Sequence, residues 1–299
     1  MKLLLLGPNG QVGWELRRAL APLGQVVVAD RTTGPAVAGD LAHIEALRDA
    51  VLREQPQVIV NAAAYTAVDK AEQEPALARL VNATAPGVLA HAAASCGAWL
   101  VHYSTDYVFD GSGTAEWRED DPTKPLSVYG KTKLEGEELI RQSGCKHLLF
   151  RTCWVYASRG KNFLRTMMRL ATERDQLKIV DDQHGAPTSA ELIADVTAHA
   201  LRLASQGKHP GGTYHLAAAG TTSWHEYAHF LIGTARATGH PVRVADDAIA
   251  ACRTADFPTP ARRPQNSRLA TDKLCTTFGV TLPPWQDGVW RAVQELCVK

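Results

Sequence analysis

The chain opens on an unbroken apolar run, Leu3–Leu6, closed by Gly7-Pro8-Asn9-Gly10. So short a run with no alternating polar positions reads as a strand buried on both faces. Helical periodicity follows over Gln11–Leu20, then a second apolar strand at Gln25–Ala29. The same alternation continues with a helix over His43–Glu54 and a strand at Val58–Val60. A long Ala-rich helix over Leu77–Cys96 leads to a strand at Trp99–Tyr103, and a helix over Val128–Gln142 leads to a strand at His147–Arg151. Strands that alternate with helices predict an α/β fold, a doubly wound parallel sheet with right-handed crossovers. Beyond residue 150 the pattern loosens. Helices are expected over Asn162–Glu173, Ser189–Ser205 (capped by Ser189), Trp224–Thr238 and Trp285–Leu296, with a strand at Thr213–Ala217. Three prolines between Pro258 and Pro264 predict a loop.

Composition narrows the function classes. Over 299 residues, 32 basic and 31 acidic side chains leave a net charge of +1, which gives no global attraction to nucleic acid or membrane. The apolar run at the start is too short for a signal peptide or a span, and no other segment reaches transmembrane length. The six cysteines are scattered without a Cys-x-x-Cys, which fits reduced thiols. A soluble cytoplasmic protein, with no nucleic acid and no membrane partner, is expected.

Gly7, Gly10 and Gly13 follow the first strand and open the first helix. Gly7 permits the tight turn, Gly10 lets a pyrophosphate approach the backbone, and Gly13 lets helix and strand pack closely. The helix N-terminus then offers free N–H groups to the anion. This sheet is therefore expected to be of the Rossmann type and to bind a nicotinamide dinucleotide, NADPH or NADH. Asp30, at the end of the second strand, suits a ribose 2′-hydroxyl, whereas its neighbour Arg31 suits a 2′-phosphate. Asp40 and Leu41 fall where a loop would cover the adenine edge. Ala62, Ala63 and Ala64 follow the third strand with side chains small enough for backbone contact.

Tyr129 and Lys133 are four positions apart and share one helix face, with Ser127 as N-cap. Ser104-Thr105-Asp106 supplies hydroxyls at a strand end. Phenol, ammonium and hydroxyl together protonate a carbonyl oxygen while hydride attacks its carbon. A free Tyr titrates near ~10, and the ammonium of Lys133 is expected to tune that value downward. Lys131, two positions from Tyr129, is expected to point elsewhere.

The motifs Gly7–Gly13, Asn61–Glu72, Ser104–Gly111, Tyr129–Lys133, Arg151–Trp154 and Asp182–Thr188 together make the chain resemble the extended short-chain dehydrogenases/reductases. Within them it is most similar to the enzymes that reduce the C4 ketone of a dTDP-linked 4-keto-6-deoxy sugar to dTDP-L-rhamnose. The resemblance spans nearly the whole chain. It implies that Thr105 bonds the sugar carbonyl, Tyr129 gives the proton and Lys133 holds the nicotinamide ribose. Gly10, Gln11 and Val12 would hold pyrophosphate, with Asp30, Asp40 and Leu41 at the adenosine end. Ala63, Ala64, Tyr65 and Tyr103 would lie along the cofactor. Asp106 and Trp154 would contact the deoxysugar, and Arg262, Arg263, Asn266 and Ser267 the nucleotide pyrophosphate. By the same resemblance, Glu15, Glu191 and Glu295 would hold a structural magnesium ion at a homodimer interface. Residues 1–150 are expected to form the dinucleotide-binding domain. Residues 151–299 are expected to form mainly a smaller, interleaved substrate-binding lobe, with some segments returning to the first domain. A nucleotide-sugar epimerase or dehydratase shares the fold and the Tyr/Lys pair, although the Asp-Glu pair of a dehydratase is missing, since Asp106 is followed by Tyr107. A non-catalytic dinucleotide-binding regulatory subunit, of the kind that partners methionine adenosyltransferase, also has this fold.

Overall fold

Alternate residues of Leu3–Leu6 in the first strand enter different cores, which is why that run carries no polar position. Leu3 and Leu5 pack with Leu16, Leu20, Val58, Val60 and Val101 on one side of the sheet. Leu4 and Leu6 pack with Leu47, Val51, Ile59, Leu89 and Leu100 on the other. The computed structural model describes residues 1–31 and 39–297. Six parallel strands make the sheet: β1 (Lys2–Leu6), β2 (Gln25–Ala29), β3 (Val58–Asn61), β4 (Trp99–Thr105), β5 (Lys146–Thr152) and β6 (Gly212–His215). Their order is β6-β5-β4-β3-β1-β2, with every pairing parallel. The chain builds outward from β1 to β2, then crosses to β3 on the other side. The carboxyl ends of β1 and β3 therefore flank a crevice, where such sheets bind ligands.

The glycine turn is built by close approach. Gly7 has φ +73°, and a Cβ there would lie 2.8 Å from Ala63 N. A Cβ on Gly13 would lie 1.9 Å from Gly7 O, so only glycine lets the helix Gln11–Leu20 seat against the turn. Ser127, Asn162 and Ser189 cap helices through their side chains, accepting from Gly130 N, Arg165 N and Leu192 N at 3.2, 2.9 and 3.1 Å. The helix expected over Leu77–Cys96 is broken into Pro75–Arg79, a π-turn at Leu80–Thr84, and Ala85–Cys96. Pro86 has no N–H to continue an α-helical ladder. The turn presents Asn82 to Tyr65, accepting from Tyr65 N at 2.8 Å and donating to Tyr65 O at 3.0 Å.

Beyond residue 150 the chain divides its packing. The helix Ala190–Ser205, β6 and the unforeseen short helix Asp272–Phe278 bury Ile193, Leu201, Tyr214, Leu274 and Phe278 in the sheet's first core. The helices Phe163–Glu173, Trp224–Ala237 and Trp285–Cys297 enclose a separate core containing Leu164, Tyr227, Leu231 and Val289. A parallel pair, Leu177–Val180 with Ile249–Cys252, borders that core and was not expected from periodicity. Four residues carry too little pattern to separate strand from loop. Among the described residues no helix is long and apolar enough to cross a membrane.

One buried ion pair ties the helix Val128–Gln142 to β5. Arg151 Nε and Nη2 donate to Glu137 Oε1 and Oε2 at 2.9 and 2.7 Å, with side-chain exposures of 4% and 0%. Burial pushes Glu137 up, but the hydrogen bonds and charge of Arg151 hold it below the usual carboxylate range. Arg151 also donates to Glu119 O at 3.2 Å and covers the Phe109 ring. Arg151→Met would leave the buried Glu137 with only Arg141, whose partly exposed guanidinium donates to Oε2 at 3.1 Å, and is expected to cost about 3 kcal/mol in chemical denaturation. Adding Glu137→Met should recover most of that loss. Equal stability of the single variant and the native chain would contradict this account.

Candidate active site

The crevice opens into a cavity of about 960 Å³ that runs from the glycine turn to the start of the helix Val128–Gln142. Gly7, Gly10, Gln11 and Val12 line one end, together with Asp30, Arg31, Asp40 and Leu41. Ala62, Ala63, Ala64, Tyr65 and Tyr103 line its length. Gly13 does not reach the cavity, because its role is the close packing against Gly7. Asp30 accepts from Asn9 Nδ2 at 2.5 Å and from Arg31 N at 2.6 Å, which ties its carboxylate to the glycine turn. A bare Gly10 backbone at a helix N-terminus, over open space, fits a dinucleotide pyrophosphate.

Thr105, Asp106, Tyr129 and Lys133 meet at the other end. Thr105 closes β4, accepts from Tyr107 N at 3.2 Å and donates through Oγ1 to Asp106 Oδ1 at 3.1 Å. Asp106 also accepts a short hydrogen bond from Ser267 Oγ. It is 2% exposed, and burial raises its carboxyl to about 7 against the pull of the Ser267 and Thr105 bonds. Burial and the nearby Asp106 push the Tyr129 phenol up to about 12, while a hydrogen bond with Thr105 opposes the rise. The expected downward tuning by Lys133 is therefore absent. Lys133 Nζ is engaged elsewhere, donating to Tyr103 O at 2.5 Å and lying 3.2 Å from His102 Nε2. Burial lowers Lys133 itself to about 8, with Glu137 opposing.

Trp154 forms part of the wall beside this group. Its backbone is left-handed, with φ 47°, a conformation that costs a tryptophan on the order of 1–3 kcal/mol. The ring stacks on Trp224 with centroids 3.7 Å apart and planes 15° apart. Trp224 also lines the cavity, and sequence reasoning missed it. The capping box of Ser223 and Glu226 marks where its helix starts, but periodicity does not say that the first residue faces the cavity. Lys161 and Asn162 were missed as well. Both line the cavity, and Asn162 Nδ2 donates to Gln11 Oε1 at 2.6 Å.

The proline-broken loop does not bring its residues into the cavity. Arg262 is exposed and Asn266 buried, and neither is among the lining residues. Asn266 Nδ2 donates to Ala115 O at 2.7 Å and Ser112 O at 3.3 Å. Arg263 pairs with Asp69 at 2.7 Å, and Ser267 meets the site only through Asp106. Glu15, Glu191 and Glu295 do border one small pocket. Arginines occupy them, however. Glu191 lies 2.8 Å from Arg291 and 3.8 Å from Arg18, with Glu15 3.5 Å from Arg18 and Glu295 3.5 Å from Arg291. Among the described residues no group of three or more His, Cys, Asp or Glu is disposed to hold a metal, so the magnesium expectation finds no support.

A family model described as the RmlD substrate binding domain matches residues 1–298. The dTDP-4-dehydrorhamnose reductase of Shigella flexneri is 52% identical over 296 residues, covering 99% of this chain and 98% of the relative. A crystal structure of a dTDP-4-dehydrorhamnose reductase from Clostridium acetobutylicum superposes with a TM-score of 0.88 at 37% identity, covering 99% of each chain. That of the Bacillus anthracis enzyme, in complex with NADP, gives 0.87 at 32% identity, covering 98% of this chain and 99% of the other.

The elevated Asp106 carboxyl has a thermodynamic consequence. The folded chain holds this proton more tightly than the unfolded chain, so the group's contribution to stability declines as pH rises from 3.8 to about 7 and is level above. Asp106→Asn should therefore gain in melting temperature relative to the native chain across that window. A difference between the two that is flat with pH would refute the shift.

Proposed function

This chain belongs to the RmlD substrate binding domain family, and we propose that it reduces the C4 ketone of dTDP-6-deoxy-L-lyxo-4-hexulose to dTDP-L-rhamnose, using NADPH or NADH. One observation carries the reading. Thr105 and Tyr129, with Lys133 beside them, stand at one end of a cavity whose other end is a glycine turn. The full-length relatives described above, named for this reaction, support the substrate.

A bound nicotinamide supplies the hydride. Tyr129 donates its proton to the ketone oxygen as that oxygen takes up charge. A phenol held at about 12 is fully protonated at neutral pH, yet it is a far stronger acid than the alcohol being formed. Thr105 turns its hydroxyl proton from Asp106 to the same oxygen, while Tyr107 N holds the hydroxyl oxygen in place. Lys133 holds the ribose and keeps Tyr129 in register. Trp154, braced by Trp224, covers the deoxysugar. Gly10, Gln11 and Val12 receive the pyrophosphate, and Asp30 and Arg31 stand at the adenosine ribose. In this reading residues 1–150 carry the dinucleotide and the reacting side chains, and residues 151–299 add the wall of Trp154 and Trp224 over the sugar.

The test follows NADPH and NADH oxidation with the hexulose substrate. Net oxidation is expected with both, whereas an epimerase would turn over without it. Tyr129→Phe should lower kcat by about 10²–10⁴-fold with cofactor affinity retained. Undiminished turnover in that variant, or no oxidation of either cofactor, would overturn the assignment.

A further inference from the structure

Lys133 belongs to a hydrogen-bonded chain that runs back into the sheet. Beyond Lys133 Nζ lies His102, 1% exposed, whose Nδ1 is 3.1 Å from Asn61 Nδ2. Asn61 and His102 are register partners on β3 and β4. Asn61 Oδ1 in turn accepts from Ala63 N at 3.2 Å. This last contact sets the direction of the whole chain, because a backbone N–H only donates. Asn61 must give its oxygen to Ala63 and so its NH₂ to His102. The imidazole Nδ1 then accepts, and the ring proton sits on Nε2, facing Lys133 at 3.2 Å. An ammonium would meet that proton head on, whereas a neutral amine receives it as an acceptor.

We propose that His102 is a positioning residue whose tautomer, locked by Ala63 and Asn61, makes it a hydrogen-bond donor to Lys133 Nζ and favours the amine over the ammonium there. The proposal rests on the role given to Lys133 above. His102 is not a proton shuttle, since the chain ends at an amide that cannot release its proton. Other groups bear on the lysine. Glu137, on its own helix, favours the ammonium, but Arg151 on β5 occupies both Glu137 oxygens. Tyr129 shares the helix face with Lys133, and Asp106, after β4, acts on the Tyr129 phenol. Burial keeps His102 neutral, well below its ordinary value.

The tautomer is read directly by ¹⁵N spectra of the histidine-labelled full chain, with His102 identified by through-space contact to the Lys133 side chain. A bare Nδ1 and a protonated Nε2 are expected from mildly acid to mildly alkaline pH. An Nδ1–H tautomer or an imidazolium would overturn the proposal. This measurement needs no substrate, so it is decided separately from the reductase assignment. Asn61→Asp should reverse the tautomer, because a carboxylate accepts from both Ala63 N and His102 Nδ1. Lys133 then meets a lone pair. Since the lysine that holds the ribose donates most fully as an ammonium, its deprotonation sets the alkaline limb of kcat/KM, which should move up by roughly one pH unit. His102→Gln, with its amide oxygen turned to Lys133, should move it the same way. An unmoved limb in both variants, with native melting and cofactor affinity, would equally overturn the proposal.

Discussion

The bidentate bond between Arg151 and Glu137 is the constraint on which the site depends. The helix Val128–Gln142 carries Tyr129 and Lys133 but contributes no strand pairing, so side chains alone fix its rotation against the sheet. Gly136 lets it lie close to the π-turn, where a Cβ would come within 2.2 Å of Asn82 O. Packing of that kind sets distance. The ion pair, fully desolvated and directional, sets rotation. A buried pair of this sort adds little net stability over apolar residues, so its value here lies in the single orientation it permits. The same Glu137 acts on Lys133, so one carboxylate anchors the helix and also enters the electrostatics of the site.

Much of the architecture was legible because it rests on local rules. Runs buried on two faces mark parallel strands, and Ser127 and Ser189 mark helix starts. Gly7 and Gly10 line the cavity for the reasons their spacing suggests. Tyr129 and Lys133 lie on one face because a helix puts them there. What could not be read depends on partners far away in the chain. The phenol's proton affinity is set by burial and by Asp106, so the simple rule of a lysine one turn away failed. Trp224 and Lys161 enter the cavity through turns of the second lobe that periodicity does not encode. Glu15, Glu191 and Glu295 border one pocket, but Arg18 and Arg291 pair with all three. Glu15–Arg18 and Arg291–Glu295 are helix neighbours, while the reach of both arginines to Glu191 depends on distant packing.

The two ends of the cavity are built on different logic. At the glycine turn the chain offers backbone, of the kind suited to what any dinucleotide has in common. At the tyrosine end it offers side chains held by other side chains: Thr105 by Asp106, Asp106 by Ser267, Lys133 by Tyr103 and His102. Such a network is costly to leave half satisfied, so it must be assembled as a whole. Segments far apart in the chain also meet directly, where Asn162 donates to Gln11 beside the glycine turn.

Trp154 and Gly185 are sterically coupled. A Cβ on Gly185 would fall 2.9 Å from Trp154 Cε2. Any side chain at 185 therefore displaces the indole, and its stacked partner Trp224 with it. A smaller residue at 154 would relieve that clash but would leave the left-handed backbone without the ring that holds it. Neither position is free to drift alone. A differently shaped cavity wall at this point therefore requires both residues to change together.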